Sequence, residues 1–234
     1  MQPSLVLLLA VFEIAQASTA PILTKGAIIF TDKNGDRKEI RIGKRCADLW
    51  VSPDDSVIAF ISVEKETPAT AGEVEPFIEQ SSLFVASRAD NFNPVRLALN
   101  SLIVSGRSWK VVEGPSVSPD LRRVYFLIPY TMTSRKLASI PLAGGTPHLI
   151  TDVTTYCVIW GGEHSGDLLM QVREDASPND PDPEVSYQCY ARNAAGHQTR
   201  IANEKECSLF DSFAAQWSGA HSGACRTNLG FGGK

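Results

Sequence analysis

No Cys-x-x-Cys pair occurs in the 234 residues; Cys46, Cys157, Cys189, Cys207 and Cys225 stand far apart, so their spacing offers no zinc site. An odd count also leaves at least one thiol outside any set of disulfides. Long apolar runs are missing: the stretch Leu5 to Phe12 holds eight residues, too few for a membrane span, which needs about 20. An excess of positive charge is missing as well, with 22 Lys and Arg against 26 Asp and Glu. That balance excludes nucleic acid as an expected partner, because such binding calls for a basic face. The chain contains no G-x-S-x-G elbow, no Walker loop, no dinucleotide fingerprint and no H-E-x-x-H. No catalytic residue and no cofactor is therefore assigned.

What is present starts with "MQPSLVLLLAVFEIAQA", an apolar run followed by small residues and the triplet Ala15, Gln16, Ala17. This pattern predicts a secretory signal over residues 1–17 with an A-x-A cleavage site, although the run is preceded by no Lys or Arg and is interrupted by Glu13. No cysteine follows the run to carry a lipid anchor. The expected product is one domain over residues 18–234, periplasmic or secreted and not an integral membrane protein. At 43% hydrophobic and 21% charged, it has the apolar material for a sizeable core.

Internal similarity is the strongest signal. "WVSPDDSVIAF" from Trp50 and "SVSPDLRRVYF" from Ser116 share Ser-Pro-Asp and an aromatic seven residues after the proline. "IWGGEHSGDLLM" from Ile159 fits with one inserted residue, Gly166, and "QWSGAHSG" from Gln216 begins a fourth copy. Hairpin patterns follow the first three copies, at Ser81 to Leu99, Arg135 to Thr151 and Val185 to Ala202. A lone hairpin, Gly26 to Ile42, turns at Asn34-Gly35. Four short strands per unit predict an all-β chain of antiparallel propeller blades, about four in number. Ser-Pro-Asp reads as each blade's first turn, and Val57 to Ile61 and Val124 to Ile128 as packing between blades.

The order S-P-D-x-x-x-I-A-F, then L-F-V-A, then G-G-T-P-x-x-L-I-T resembles the WD40-like (PD40) repeats of TolB-like β-propellers. The resemblance covers about residues 26–223 and implies the fold more than an activity. The chain departs from that family in lacking its N-terminal α/β domain and in having fewer blades. Two closures are open: Gly26 to Ile42 completes a blade with the segment from Gln216 in a small ring, or the chain is a truncated part of a larger propeller.

Two acidic insertions occupy the same position in different units. Val63 to Gln80 carries Glu64, Glu66, Glu73, Glu75 and Glu79 against Lys65, and Arg173 to Glu184 carries Glu174, Asp175, Asp180, Asp182 and Glu184 against Arg173. Insertions on one face of a repeat protein mark a binding face, so these ten carboxylates form a candidate surface for a protein partner. A divalent cation on them is a weaker reading. "DKNGD" from Asp32 is rejected as a calcium loop because its sixth position is Arg37 and its twelfth Gly43. His164 and His221 hold matching places in two heptads that adjacent blades would splay apart, so no metal ligand is assigned. The expectation is a non-enzymatic scaffold that binds proteins. The alternatives are a propeller enzyme or a small-ligand or metal-binding protein with a site at the channel mouth, and an incomplete propeller without independent function.

Overall fold

The computed structural model describes residues 21–24, 26–31, 34–69, 76–97, 102–104, 107–130, 134–174, 186–202, 204–226 and 229–230. Residues 1–17, assigned above to a signal, lie outside them. The first described element is a three-stranded antiparallel sheet, β1 (Ile22–Thr24), β2 (Ala27–Thr31) and β3 (Arg37–Arg41). The first blade follows as β4 (Cys46–Val51), β5 (Val57–Thr67), β6 (Phe77–Ser87) and β7 (Val95–Leu97). A small hairpin, β8 (Leu102–Val104) and β9 (Arg107–Trp109), leads to the second blade. That blade is β10 (Glu113–Val117), β11 (Arg123–Pro129), β12 (Arg135–Pro141) and β13 (His148–Val153). The third is β14 (Thr155–Trp160), β15 (Leu168–Glu174), β16 (Ser186–Arg192) and β17 (Gln198–Ala202). Each blade pairs antiparallel in sequence order, so the all-β, propeller-type architecture expected from the repeat is present.

The blades stack through their faces. Along β5, Val57, Ala59 and Ile61 pack with Val124, Phe126 and Ile128 of β11, while Ile58 and Phe60 pack with Ile28, Phe30 and Ile40 of the first sheet. The opposite face of β11 puts Leu127 against Val158, Leu168 and Met170 of the third blade. Strands buried on both faces need no polar alternation, which is why "VIAFI" and "VYFLI" read as continuous apolar runs. Polar ties cross the same layers: Asp48 Oδ2 accepts from Gly114 N at 3.0 Å, the Tyr156 hydroxyl donates to Gly114 O at 2.7 Å and Trp160 Nε1 to Val117 O at 3.1 Å.

The two Ser-Pro-Asp segments build one turn twice. Ser52 Oγ donates to Asp54 Oδ1 and accepts from the Ser56 and Val57 amides at 2.9 and 3.0 Å. Ser118 repeats this with Asp120 and the amides of Arg122 and Arg123. The side chains thus replace backbone partners that the turn cannot supply.

The fourth copy departs from expectation. A short helix α1 (Glu204–Cys207) leads to α2 (Phe210–Ala220), so Gln216 and Trp217 lie in a helix where a strand was expected. Phe210, Phe213, Ala214 and Trp217 recur at helical spacing, and this stripe packs on Cys157, Ile159 and Leu169 of the third blade. The helices cover that blade's free face, where a further blade would stack. Two disulfides hold them: Cys189 of β16 joins Cys207 of α1, and Cys157 of β14 joins Cys225. Cys46 is the unpaired cysteine, as the odd count requires.

Among the described residues, the segment after α2 does not pair with Gly26 to Ile42. β18 (Ala224–Arg226) adds to β14, and β19 (Leu229–Gly230) adds to β4. Among the described residues, Gly26 to Ile42 forms strands only within the first sheet, whose apolar face lies on the first blade. No helix among the described residues is long and apolar enough to cross a membrane.

Candidate functional site

The two heptads that repeat in the sequence meet in space. "WGGEHSG" makes the turn from β14 to β15, and "WSGAHSG" makes the last turn of α2 and its cap. That cap is a Schellman motif: Ser222 takes φ of 56°, its amide donates to Gly219 O, and the Gly223 amide donates to Ser218 O at 2.8 Å. Contact between the two turns is close enough to demand glycine. A Cβ on Gly162 would overlap His221 O and sit 2.9 Å from Ser222 C, and one on Gly223 would sit 2.8 Å from Ile159 Cγ2. Trp160 pairs with Ala224 and Ile159 with Cys225, fixing the register beside the Cys157–Cys225 disulfide.

This contact overturns the expectation that His164 and His221 are splayed apart. Their ring centroids are 4.9 Å from each other in an edge-to-face arrangement. Trp217 stacks on His221 at 4.1 Å and lies 4.9 Å from His164. The physical reason is that the second heptad belongs to a helix folded back on the third blade, so it approaches the turn it resembles. His164 also departs from its supposed equivalents: Asp55 and Leu121 take positive φ, whereas here the positive φ falls on Gly161, Gly162 and Gly166.

Both rings are oriented through Nδ1. His164 Nδ1 lies 2.9 Å from Asp167 Oδ2, and His221 Nδ1 lies 2.8 Å from the Trp217 carbonyl oxygen. A carbonyl can only accept, and an ionised carboxylate likewise, so each Nδ1 carries a proton, and in the neutral ring Nε2 keeps the lone pair. His164 Nε2 faces Glu163 Oε1 at 3.5 Å. Glu163, His164 and His221 each bring a ligand atom within 4.8 Å of the others, and these three could hold a metal ion. Sequence reading missed Glu163, Asp167 and Trp217. The usable signals were the histidine at the fifth place of both heptads and the helical spacing from Phe210 to Ser218.

Of the ten carboxylates singled out earlier, Glu64, Glu66, Glu79 and Glu174 belong to the opposite ends of the blade strands. Glu73, Glu75, Asp175, Asp180, Asp182 and Glu184 lie outside the described residues. Glu64, Glu66 and Glu79 stand on the β5–β6 hairpin, and each has an ion-pair partner: Lys44 for Glu64, Arg45 at 2.6 Å for Glu66 and Lys65 for Glu79. The hydrogen bond from Lys44 holds the Glu64 carboxyl below its usual range, and the bond from Lys65, then that from Thr67, does so for Glu79. Glu174 accepts from the Tyr190 hydroxyl at 3.0 Å. Two of these basic partners, Lys44 and Arg45, come from outside the insertion, so the local acidity is partly balanced. Elsewhere, a largely apolar cleft of about 550 Å³ separates the first and second blades between Val57, Val85, Leu121 and Leu142.

No protein-family model matches the chain, and no curated protein matches it in sequence. Solved structures similar to it include the β-propeller domain of the Trilobed protease from Pyrococcus furiosus, at 13% identity and a TM-score of 0.46 over 80% of this chain and 57% of that one. A putative TolB from Agrobacterium tumefaciens is similar at 15% identity and a TM-score of 0.36, over 78% and 76%. Hydrazine synthase from Kuenenia stuttgartiensis is similar at 14% identity and 0.42, over 75% and 48%. The chain spans about half the length of the first and third of these. At such identities the likeness is one of fold.

Proposed function

We propose that the protein is an exported, non-enzymatic scaffold that holds a protein partner at the end bearing the β5–β6 and β15–β16 hairpins. The β5–β6 arm carries this reading. Both of its strands run 11 residues, where the matching strands of the other blades run 7. The surplus projects the arm by roughly 13 Å at the strand rise per residue. Phe77 stands on that projection, 71% exposed, beside the ion pairs of Glu66 and Glu79. An exposed aromatic on a preformed, ladder-paired arm suits an interface anchor, because little conformational freedom is lost on docking. The two disulfides support export, since such bonds persist in oxidising compartments. In the sequence, Glu73 and Glu75 fall between β5 and β6 and Asp180 and Asp182 between β15 and β16, and this acidity favours a partner with a basic patch.

The test compares the wild-type protein with Phe77→Ala and with the fourfold change of Glu73, Glu75, Asp180 and Asp182 to lysine. A partner is captured from an extracellular or periplasmic fraction, purified, and its affinity measured directly. The expected loss is about tenfold or more for Phe77→Ala, the scale of an anchor residue, and a steeper salt dependence for wild type than for the charge-reversed form. Unchanged affinity in both variants overturns this assignment of the binding face.

A further inference from the structure

From the meeting of the two heptads we infer that Glu163, His164 and His221 bind a divalent transition-metal ion, with zinc the best match. Three observations converge. The first is the donor set: two imidazole nitrogens and one carboxylate oxygen within 4.8 Å of one another, a combination that suits zinc and its neighbours more than calcium or magnesium. The second is orientation. Each histidine gives its Nδ1 proton to an acceptor, Asp167 for one ring and the Trp217 carbonyl for the other, which is the arrangement that fixes a metal-binding histidine with Nε2 free. The third is rigidity. The Gly162 approach, the Schellman cap of α2 and the Cys157–Cys225 disulfide hold the two heptads together whether or not an ion is bound.

Electrostatics point the same way. In the neutral ring with Nδ1 protonated, His164 Nε2 presents a lone pair to the Glu163 carboxylate at 3.5 Å. Two acceptors at that distance repel unless a cation lies between them: a proton on Nε2, which makes the contact an ion pair, or a metal ion shared with the His221 nitrogen, which competes with that proton. Zinc bonds of about 2.0–2.1 Å place tetrahedral ligand atoms roughly 3.3 Å apart. The His164–Glu163 pair is already near that edge length. Glu163 is highly exposed and can swing to close the remaining distances. Three protein ligands leave a fourth position for water, and the partial exposure of His164 and His221 gives the ion a path from solvent. The site lies at the turn end of the third blade, away from the β5–β6 arm, and is independent of the scaffold reading.

The experiment uses the full, disulfide-intact chain, stripped with a chelator and dialysed against zinc. Metal content measured by mass spectrometry and titration calorimetry should give one zinc per chain. His164→Ala and His221→Gln should abolish that equivalent, and Asp167→Asn should weaken affinity by about 10- to 100-fold through loss of orientation. His148→Ala and His197→Ala should leave it unchanged. Cobalt provides a readout that does not depend on folding of a variant: the wild-type adduct should show the visible bands of a four-coordinate nitrogen and oxygen site. It should also quench Trp217, which stacks on His221. No stoichiometric zinc in the wild type, or an equal equivalent in His164→Ala and His221→Gln, overturns the proposal. A cobalt spectrum that is purely octahedral overturns it as well, leaving the rings as an aromatic contact between α2 and the turn.

Discussion

At the scale of single residues, the repeated turns show how a short motif carries stability. Asp120 is held below the usual carboxylate range by the Ser118 hydroxyl, against a smaller upward push from burial. For Asp54 burial is the largest influence and pushes upward, yet the combined hydrogen bonds from Ser52 and Ser56 leave it lowered. A carboxyl whose folded pKa lies below its unfolded value of about 3.9 contributes its full stability above that value and loses it as pH falls through the folded pKa. Asp120→Asn is therefore expected to be less stable than wild type at pH 7, with the difference shrinking towards pH 3. Denaturant titrations at the two pH values check this. Cys46 shows the opposite case: burial pushes its thiol up to about 12, which suits a packing role and not a reactive one. The Ser-Pro-Asp turns were legible in the sequence because their chemistry is local. The convergence of His164 and His221 was not, because it depends on where a helix folds back.

At the scale of elements, α2 is the instructive case. Similarity between two heptads suggested a fourth blade, but seven residues do not decide secondary structure when their upstream neighbours set a different period. The apolar stripe from Phe210 to Trp217 was present in the sequence and specified the helix. The disulfide partners were not legible, since five cysteines allow many pairings. Cys189 and Cys207, 18 positions apart, join β16 to α1. Gln171 reinforces this junction, its Nε2 donating to Cys207 O at 2.7 Å. Replacing both cysteines with alanine is expected to cost about 3 kcal/mol, the loop entropy of a closure of that size. Thermal unfolding of the double variant measures it, and the loss should fall first on the helical signal.

At the scale of the molecule, the described part of the chain is a stack: first sheet, three blades, helices, with an apolar cluster at each junction. The blades and their order were readable from the repeat, and so was the β2–β3 hairpin, whereas its place as a cover and the helical cover at the other end were not. Amide exchange should report the stack directly. Protection is expected to be greatest in β5 and β11, which are paired on both sides and buried on both faces. It should be least among the blade strands in β7, β13 and β17, which form outer edges. A uniform exchange rate across the four strands of a blade contradicts this gradient. The pairing of β19 with β4 joins residues as remote in sequence as Leu49 and Leu229. Until the distant segment arrives, the first strand of the first blade carries an open ladder that any extended chain can occupy. Its own tail has the advantage of tethering, which gives it a high effective concentration over strangers. Dilution during refolding thus becomes a choice between partners for one edge, and crowding with identical chains shifts that choice towards aggregates.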